Sequence, residues 1–142
     1  LVFEDRILDY EDVIGIAKQY DERIVPFVDL AYYEGLDSLC LDDEKSMGYT
    51  LRTLGAALQA YWHATSYKEG ILKIVLSGED ADTNAAVAGA ILGAKFGINQ
   101  IPDEWKSGLL YASILHDKVR DLYFYNHSHS RKVSLMTKNG NV

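Results

Sequence analysis

The sequence predicts an all-α protein, and three observations support this prediction. Apolar residues recur at intervals of three and four along most of the chain, as they do on one face of a helix. Start signals for helices precede several of these runs, and no alternating strand pattern is long enough to outweigh them. With 142 residues, of which 48% are hydrophobic, the chain can bury a core, so we expect one folding unit.

The first half of the chain contains two predicted helices around an ambiguous segment. Residues 10–20 carry apolar side chains at helical spacing. The segment after Pro26 is ambiguous and ends in an acidic cluster at residues 42–44. A second helix is predicted to begin at this cluster, because intervals of three and four separate Met47, Leu51, Leu54, Leu58 and Trp62.

Sharper signals bound the next two helices. Ser66 and Glu69 match a capping box, in which each side chain satisfies a free backbone donor of the other residue. A further helix is predicted from about Thr83 to Phe96, closed by Gly97. Small residues recur every four positions along it, so we expect another helix to approach this face closely: Ala85, Gly89, Gly93 and Gly97.

The C-terminal part begins with a Pro-initiated helix at Ile101–Trp105, in which acids follow Pro102. Residues 109–123 again show helical spacing. Residues 126–142 lose this periodicity and are predicted to form a mobile tail.

Composition excludes several classes of protein. The net charge is −7, and 14 basic residues are scattered among 21 acidic ones, which argues against direct nucleic-acid binding. No window is apolar enough to span a membrane, and the N-terminus does not resemble a secretory signal. The single cysteine, Cys40, excludes an intrachain disulfide and suits a reducing compartment, so we expect a cytoplasmic protein with Cys40 as a small core residue. The chain begins with Leu1 rather than Met, so we expect it to be processed, excised or incomplete.

The strongest candidate for chemistry is an acidic turn at the start of the most apolar segment. Asp80, Asp82 and Thr83 are expected to converge where a loop turns into a helix. Carboxylate and hydroxyl oxygens are hard donors that suit Mg²⁺, Mn²⁺ or Ca²⁺. A second interpretation is structural, with Asp82 or Thr83 as a helix cap and Asp80 as a solvated acid. A calcium loop is a third, but Ala85 and Ile91 occupy positions where an EF-hand requires Gly and Glu.

The histidines and the remaining motifs give weaker evidence for a functional site. His127 and His129 could share a metal ion, although two histidines in a polar tail usually do nothing specific. His63 and His116 lie within helical stretches, where surface or hydrogen-bonded histidines are commoner than ligands. The sequence contains no P-loop, dinucleotide-binding glycine motif, nucleophile elbow or CxxC pair.

The segment GYTLRTLGAALQAYWHATSYKEGILKIVLSGEDADTNAAVAGAILGAKFGINQIPDEWKSGLL, residues 48–110, resembles the C-terminal part of the ADP-ribosylglycohydrolase family. The most specific element is the GxDADTNAA turn with its small-residue helix, supported by GYTLRTLGAAL before it and IPDEW after it. The resemblance extends more loosely from Leu41 to Tyr125. It divides the chain into a divergent helical segment, residues 1–41, a family-like part, residues 42–125, and the tail, residues 126–142.

The resemblance implies a metal-dependent hydrolase that removes ADP-ribose from modified targets. In the family, an all-α bundle holds a binuclear Mg²⁺ or Mn²⁺ site between two acidic clusters that are far apart in sequence. By resemblance, Asp80, Asp82 and Thr83 match the C-terminal cluster. The implied partners are ADP-ribosylated substrates or ADP-ribose, and a complementary N-terminal half.

Two departures from the family pattern restrict this interpretation. Position 79 is Glu where the family commonly has Gly. The N-terminal GDALG-like segment and Thr-Asp-Asp cluster have no counterpart, and Asp42-Asp43 is better explained as a helix-start pair. No general acid or base is assigned, because the family's acidic candidate belongs to the missing part. We therefore expect the chain to supply half of a metal site; the alternative is a non-catalytic helical interaction module or an inactive remnant.

Overall fold

The computed structural model describes residues 7–138, with the backbone alone for Ser46 and residues 126–138. This part of the chain contains seven α-helices and several short 3-10 turns, and no strand. The all-α prediction is confirmed. The helices are α1 (Tyr10–Tyr20), α2 (Val25–Tyr33), α3 (Thr50–His63), α4 (Tyr67–Leu76), α5 (Ala81–Phe96), α6 (Asp103–Gly108) and α7 (Ala112–Lys138).

The chain divides into two compact units, one up to Pro102 and the other from Asp103 onward. The sequence predicts one folding unit, and the division instead falls at the proline that precedes α6. The first unit contains α1 to α5 and the acidic turn. The second contains α6 and α7.

Helix α3 is the central helix of the first unit, because α2 and α5 pack on it and α4 packs on both α3 and α5. Its buried face consists mainly of small residues, which let the neighbouring helices approach closely: Thr53, Gly55, Ala56, Ala57, Ala60 and Tyr61, with Leu58. The stripe of large residues from Met47 to Trp62, which predicted this helix, lies only partly in the core. Met47 precedes the helix and is 55% exposed.

Side-chain caps explain where several helices begin. Asp9 Oδ1 accepts from the Glu11 amide before α1, at 2.8 Å. Ser66 Oγ accepts from the Glu69 amide before α4, at 3.2 Å. The reciprocal half of the expected capping box is replaced, because Glu69 Oε2 accepts from the Thr65 amide instead. Helix α5 ends where expected, at Gly97, whose φ of 79° suits glycine.

The closest helix contacts involve glycines other than those on the predicted face of α5. A Cβ at Gly70 would lie 2.7 Å from Leu92 Cδ1, and one at Gly55 would lie 2.8 Å from Leu39 Cδ2. Gly89 is less tightly packed, with Tyr67 Oη at 3.2 Å from its virtual Cβ, and Gly97 has open space. Close approach is therefore real at Gly89, but α3 and α4 supply the tightest positions.

Two expectations about loops were wrong, whereas the mobility expected of residues 126–142 stays a prediction. Cys40 is exposed rather than in the core, because it ends a 3-10 turn with a left-handed φ of 48°. Asp43 caps a 3-10 turn by accepting from the Lys45 amide, while α3 begins several residues later at Thr50. The backbone stays helical through Lys138, since no Gly or Pro interrupts residues 112–138; residues 139–142 lie outside the described part.

Candidate metal and substrate site

The acidic turn joins α4 to α5 through two residues with left-handed backbone. Gly78 has a φ of 88° and Glu79 a φ of 42°. Helix α5 then begins at Ala81, and the Asn84 amide donates to the Asp80 carbonyl oxygen at 3.0 Å. Asp80 is thus the residue at which the chain enters the helix.

Asp80 occupies the cap position but does not cap the helix. Its side chain makes no capping hydrogen bond, and no described group donates to its carboxylate. The side chain is half-buried and lines a small depression that adjoins the start of α3. A Cβ at Gly48 would lie 3.9 Å from Asp80 Oδ2, so the loop before α3 comes close to this carboxylate. The carboxylate is available to a ligand.

Thr53 and Asn84 fix the position of this turn against α3. Thr53 Oγ1 donates to Asn84 Oδ1 at 2.7 Å, and both residues are buried, at 7% and 4% exposure. They also line the depression beside Asp80. Asn84 lies in the first turns of α5, so this bond sets the helix end that carries the acids. Sequence reasoning missed Thr53 and considered Asn84 only as the third ligand position of a calcium loop.

Arg52 contributes a positive charge to the same depression. Its Nη1 donates to the Cys40 carbonyl oxygen at 2.7 Å and to Asp43 Oδ2 at 3.3 Å. Asp43 therefore balances the charge of Arg52 and ties the loop before α3 to the helix. This role differs from the helix-start role that the sequence suggested for Asp43.

Asp82 and Thr83 lie on the exposed surface of the first turn of α5. Asp82 Oδ1 accepts from the Thr83 amide at 2.9 Å, a local bond of the kind that the structural interpretation predicts. Neither residue lines the depression with Asp80. Within the described residues, no group of three or more His, Cys, Asp and Glu side chains is placed to hold a metal ion.

The donor chemistry of the turn still fits a hard divalent cation. Asp80 and Asp82 provide carboxylate oxygens and Thr83 a hydroxyl, whereas Mg²⁺ and Mn²⁺ favour such oxygen ligands. Mg²⁺ prefers octahedral coordination, so three side chains leave positions for water, substrate or further ligands. The types of oxygen therefore suit a hard divalent cation, but Asp82 and Thr83 lie outside the depression that Asp80 lines, so the convergence that the sequence predicts is not seen in the described residues.

A larger cleft lies next to the depression, and Leu41 lines both. Its volume is about 640 Å³, within the range of small-molecule sites. The lining combines apolar and polar side chains: Leu36, Asp37, Leu41, Asp42, Gln59, Lys73, Leu76 and Ser77. Lys73 is already paired with Glu69 Oε1 at 2.7 Å.

The histidines do not form a second site in the described residues. His63 is exposed, with Nε2 3.1 Å from the Tyr32 carbonyl oxygen, as expected for a hydrogen-bonded surface histidine. His116 is exposed. The side chains of His127 and His129 lie outside the described part, so their suggested shared metal stays a prediction.

Comparison with known proteins identifies relatives of this sequence. A family model described as ADP-ribosylglycohydrolase matches residues 5–132. The match is wider than the resemblance from Leu41 to Tyr125 and includes most of the segment that we considered divergent. No solved structure matches.

Three curated relatives share about a third of their aligned residues with the chain. One named ADP-ribosylarginine hydrolase Tri1, from Pseudomonas putida (strain GB-1), is 33% identical over 82 residues, 58% of this chain and 22% of the relative. A protein of the same name from Serratia proteamaculans (strain 568) is 34% identical over 83 residues, 58% and 23% of the two chains. ADP-ribosyl-[dinitrogen reductase] glycohydrolase from Rhodospirillum rubrum is 35% identical over 65 residues, 46% and 22%. The aligned part is thus less than a quarter of each relative.

Proposed function

Because the chain belongs to the ADP-ribosylglycohydrolase family, we propose that it takes part in metal-dependent hydrolysis of the bond between ADP-ribose and an acceptor. The chain supplies one acidic half of a binuclear Mg²⁺ or Mn²⁺ site through Asp80, Asp82 and Thr83. The remaining ligands and the general acid or base come from a part that corresponds to the N-terminal region of the family. The observation that carries this proposal is the half-buried Asp80 carboxylate, which faces a depression and accepts no hydrogen bond from the described residues.

The protein residues have separable roles in this proposal. Asp80 and Asp82 would provide the negative charge that holds the cations against the opposing dipole of α5. Mg²⁺ or Mn²⁺ held by these residues would supply positive charge for binding the ribose diol and for lowering the pKa of a water molecule. The Thr53–Asn84 hydrogen bond anchors the first turns of α5, and with them the backbone that carries Asp80, against α3.

The cleft beside Leu41 supports a nucleotide-sized ligand. Its volume is sufficient, and its mostly polar lining offers hydrogen-bonding groups such as Gln59 and Ser77 beside the apolar Leu36 and Leu41. We assign ADP-ribose, free or attached to a target, to this side of the molecule. The names of the relatives make arginine the first acceptor to test.

We also propose a reducing, cytoplasmic location, on the basis of the single exposed thiol of Cys40. Among the residues that the structure describes, no helix is both long and apolar enough to cross a bilayer.

A segment exchange tests the function. In the Pseudomonas putida relative, the matched 82-residue segment is replaced by the corresponding segment of this chain, and release of ADP-ribose from ADP-ribosylarginine is measured. We expect the chimera to hydrolyse the substrate and Asp80→Ala/Asp82→Ala to abolish this activity, whereas Glu79→Ala retains it. A folded chimera that remains active in the double variant would contradict the role of the turn.

A further inference from the structure

Among the described residues, Lys73 is the only basic side chain that lines the cleft beside Leu41. Its Nζ pairs with Glu69 Oε1 at 2.7 Å, four residues earlier on α4. The Lys73 side chain is 56% exposed and that of Glu69 is 32% exposed. An ion pair of this spacing on a helix surface contributes little to stability, so Lys73 can leave Glu69 at low cost.

Glu69 keeps its other partners when Lys73 moves away. Its Oε2 accepts from the Thr65 amide at 2.7 Å and from the Thr65 hydroxyl at 2.5 Å. Neither bond uses Oε1, the oxygen that contacts Lys73. The glutamate therefore stays fixed at the start of α4 while the lysine exchanges one anionic partner for another.

Two carboxylates from another part of the chain complement the charge of Lys73. Asp37 and Asp42 line the same cleft, and no described group donates to either carboxylate. A carboxylate accepts hydrogen bonds from the hydroxyls of a ribose, as an acidic residue does in dinucleotide sites, but it repels a phosphate. The place for an anionic group in this cleft is therefore on the α4 side, next to Lys73.

The cleft lies within reach of the acidic turn. Arg52 lines the depression beside Asp80, and Gln59 lines the cleft. These two residues are seven positions apart on α3, which corresponds to about 10 Å along the helix. ADP-ribose carries its diphosphate between two riboses, so one ligand can place a ribose near Asp80 and the diphosphate in the cleft.

From these observations we propose that Lys73 leaves Glu69 and binds the diphosphate of ADP-ribose. The identity of the ligand rests on the proposed function, whereas the role of Lys73 goes beyond it. The diphosphate carries the negative charge of ADP-ribose at neutral pH, and lysine commonly binds phosphate as a point charge. Lys73 thereby determines specificity, because a ligand with a diphosphate recruits the lysine and an uncharged nucleoside does not.

Phosphorus NMR of ADP tests this role separately from hydrolysis. ADP contains the diphosphate but no terminal ribose, and a metal-free buffer removes any contribution of a cation at the acidic turn. The phosphorus shifts of ADP are followed as protein is added. The affinity for adenosine, which lacks the diphosphate, is measured in parallel from proton shifts.

Three variants of α4 are compared with the wild type. Lys73→Ala removes the proposed contact. Lys68→Ala is the matched control, because Lys68 is exposed on the same helix but does not line the cleft. Glu69→Gln removes the charge that competes with the diphosphate for Lys73. Circular dichroism checks the helix content, which alanine favours at least as well as lysine.

We expect Lys73→Ala to weaken ADP binding by about 10–100-fold, the range for a hydrogen bond to a charged group. Lys68→Ala should bind ADP as the wild type does, and Glu69→Gln should bind it more tightly. The affinity for adenosine should be the same for all four proteins.

The inference would be overturned by a folded wild type that does not bind ADP, by equal losses in the two lysine variants, or by a Glu69→Gln variant that binds ADP no more tightly. An equal loss of adenosine affinity in Lys73→Ala would also overturn it. Hydrolysis by the chimera is a separate result. An active chimera together with unchanged ADP binding in Lys73→Ala rejects the role of Lys73 alone, and an inactive chimera together with the expected loss rejects the hydrolysis alone.

Discussion

Glu79 is the residue at which the acidic turn departs from the family pattern, and it adopts a backbone conformation that suits glycine. Its φ is 42°, and its carbonyl oxygen accepts from the Ala81 amide at 2.8 Å. A left-handed conformation costs a residue with a Cβ about 1–2 kcal/mol. The glutamate therefore makes the turn less stable than a glycine would.

Glu79→Gly is expected to stabilise the protein. The relief of strain exceeds the greater entropy that glycine loses on folding, which is about 0.5–1 kcal/mol, so the net gain is up to about 1 kcal/mol. Urea unfolding measures this change. The matched substitution Gly78→Ala, at a φ of 88°, should destabilise. A loss of stability in Glu79→Gly would show that the glutamate side chain makes a compensating contact.

Glu69 links stability to pH at the start of α4. Hydrogen bonds from Lys73, and then from the Thr65 hydroxyl and amide, lower the pKa of Glu69 from 4.5 to about 2. Because the pKa of Glu69 is lower in the folded protein, its ionised side chain stabilises the fold above pH 4.5. This stabilisation is lost as pH falls toward 2. Glu69→Gln removes the titrating group.

The stability difference between wild type and Glu69→Gln should therefore shrink as pH falls from about 7 to 2.5. Urea midpoints at a series of pH values measure it. Thr65 and Lys73 remain in both proteins, so they act as internal controls. A difference that stays constant over this range would mean that Glu69 does not titrate as its hydrogen bonds indicate.

At the scale of helices, Gly70 determines how closely α4 approaches α5. A Cβ there would lie 2.7 Å from Leu92 Cδ1 and 2.9 Å from Ala64 Cβ, so a methyl group forces the core apart. In Gly70→Ala, overpacking should lower the free energy of unfolding by about 1–3 kcal/mol. The better helix propensity of alanine offsets up to about 1 kcal/mol of this loss.

Gly15 provides the matched control, because it lies within α1 and has no atom within 4 Å of its virtual Cβ. Gly15→Ala should stabilise by about 0.5–1 kcal/mol through propensity alone. Thermal unfolding of the two variants compares them. If both alanines stabilised equally, the close contact between α4 and α5 would be disproved.

The buried bond between α3 and α5 is a second test at this scale. Thr53→Val keeps the shape of the side chain but leaves Asn84 Oδ1 without its donor. An unpaired buried acceptor costs about 1–3 kcal/mol. Thr50→Val at the exposed start of α3 is the control and should change the free energy of unfolding by less than about 0.5 kcal/mol. If the two substitutions changed the free energy of unfolding equally, the Thr53–Asn84 hydrogen bond would not hold α5 against α3.

The helices differ in how well the sequence predicts their limits. Helix α5 begins at Ala81 and ends at Phe96, close to the prediction, because an acidic turn and Gly97 are local signals. The start of α3 was misplaced because acids occur in 3-10 turns as well as in helices. The sequence did not predict the buried alanine face of α3. Alanine is small and only weakly apolar, so the spacing of the bulky residues dominates the pattern.

For the whole molecule, composition and periodicity were enough to predict an all-α chain, but not its division at Pro102. That division depends on contacts between residues far apart in sequence, which periodicity does not encode. The site shows the same limit. The motif predicted Asp80, Asp82 and Thr83, whereas Arg52 and Thr53 join the depression only through the packing of α3 beside α5.

The aligned part of the chain covers about a fifth of each of these relatives, so the proposed site would account for only part of the activity that their names describe. The central claim is that this part binds a divalent cation by itself and binds it more tightly when ADP-ribose contributes further oxygen ligands. Replacing the two carboxylates of the turn, Asp80 and Asp82, should therefore weaken the affinity for the cation.

Calorimetric titration of the chain with Mn²⁺ and Mg²⁺, without and with ADP-ribose, tests this claim most directly. Asp80→Ala/Asp82→Ala is the blank, and Glu79→Ala is the control for loss of a neighbouring acid. We predict saturable binding to the wild type and Glu79→Ala that ADP-ribose strengthens, and none to the double variant. Heats from the folded wild type that match those of the double variant, with or without ADP-ribose, would contradict the account.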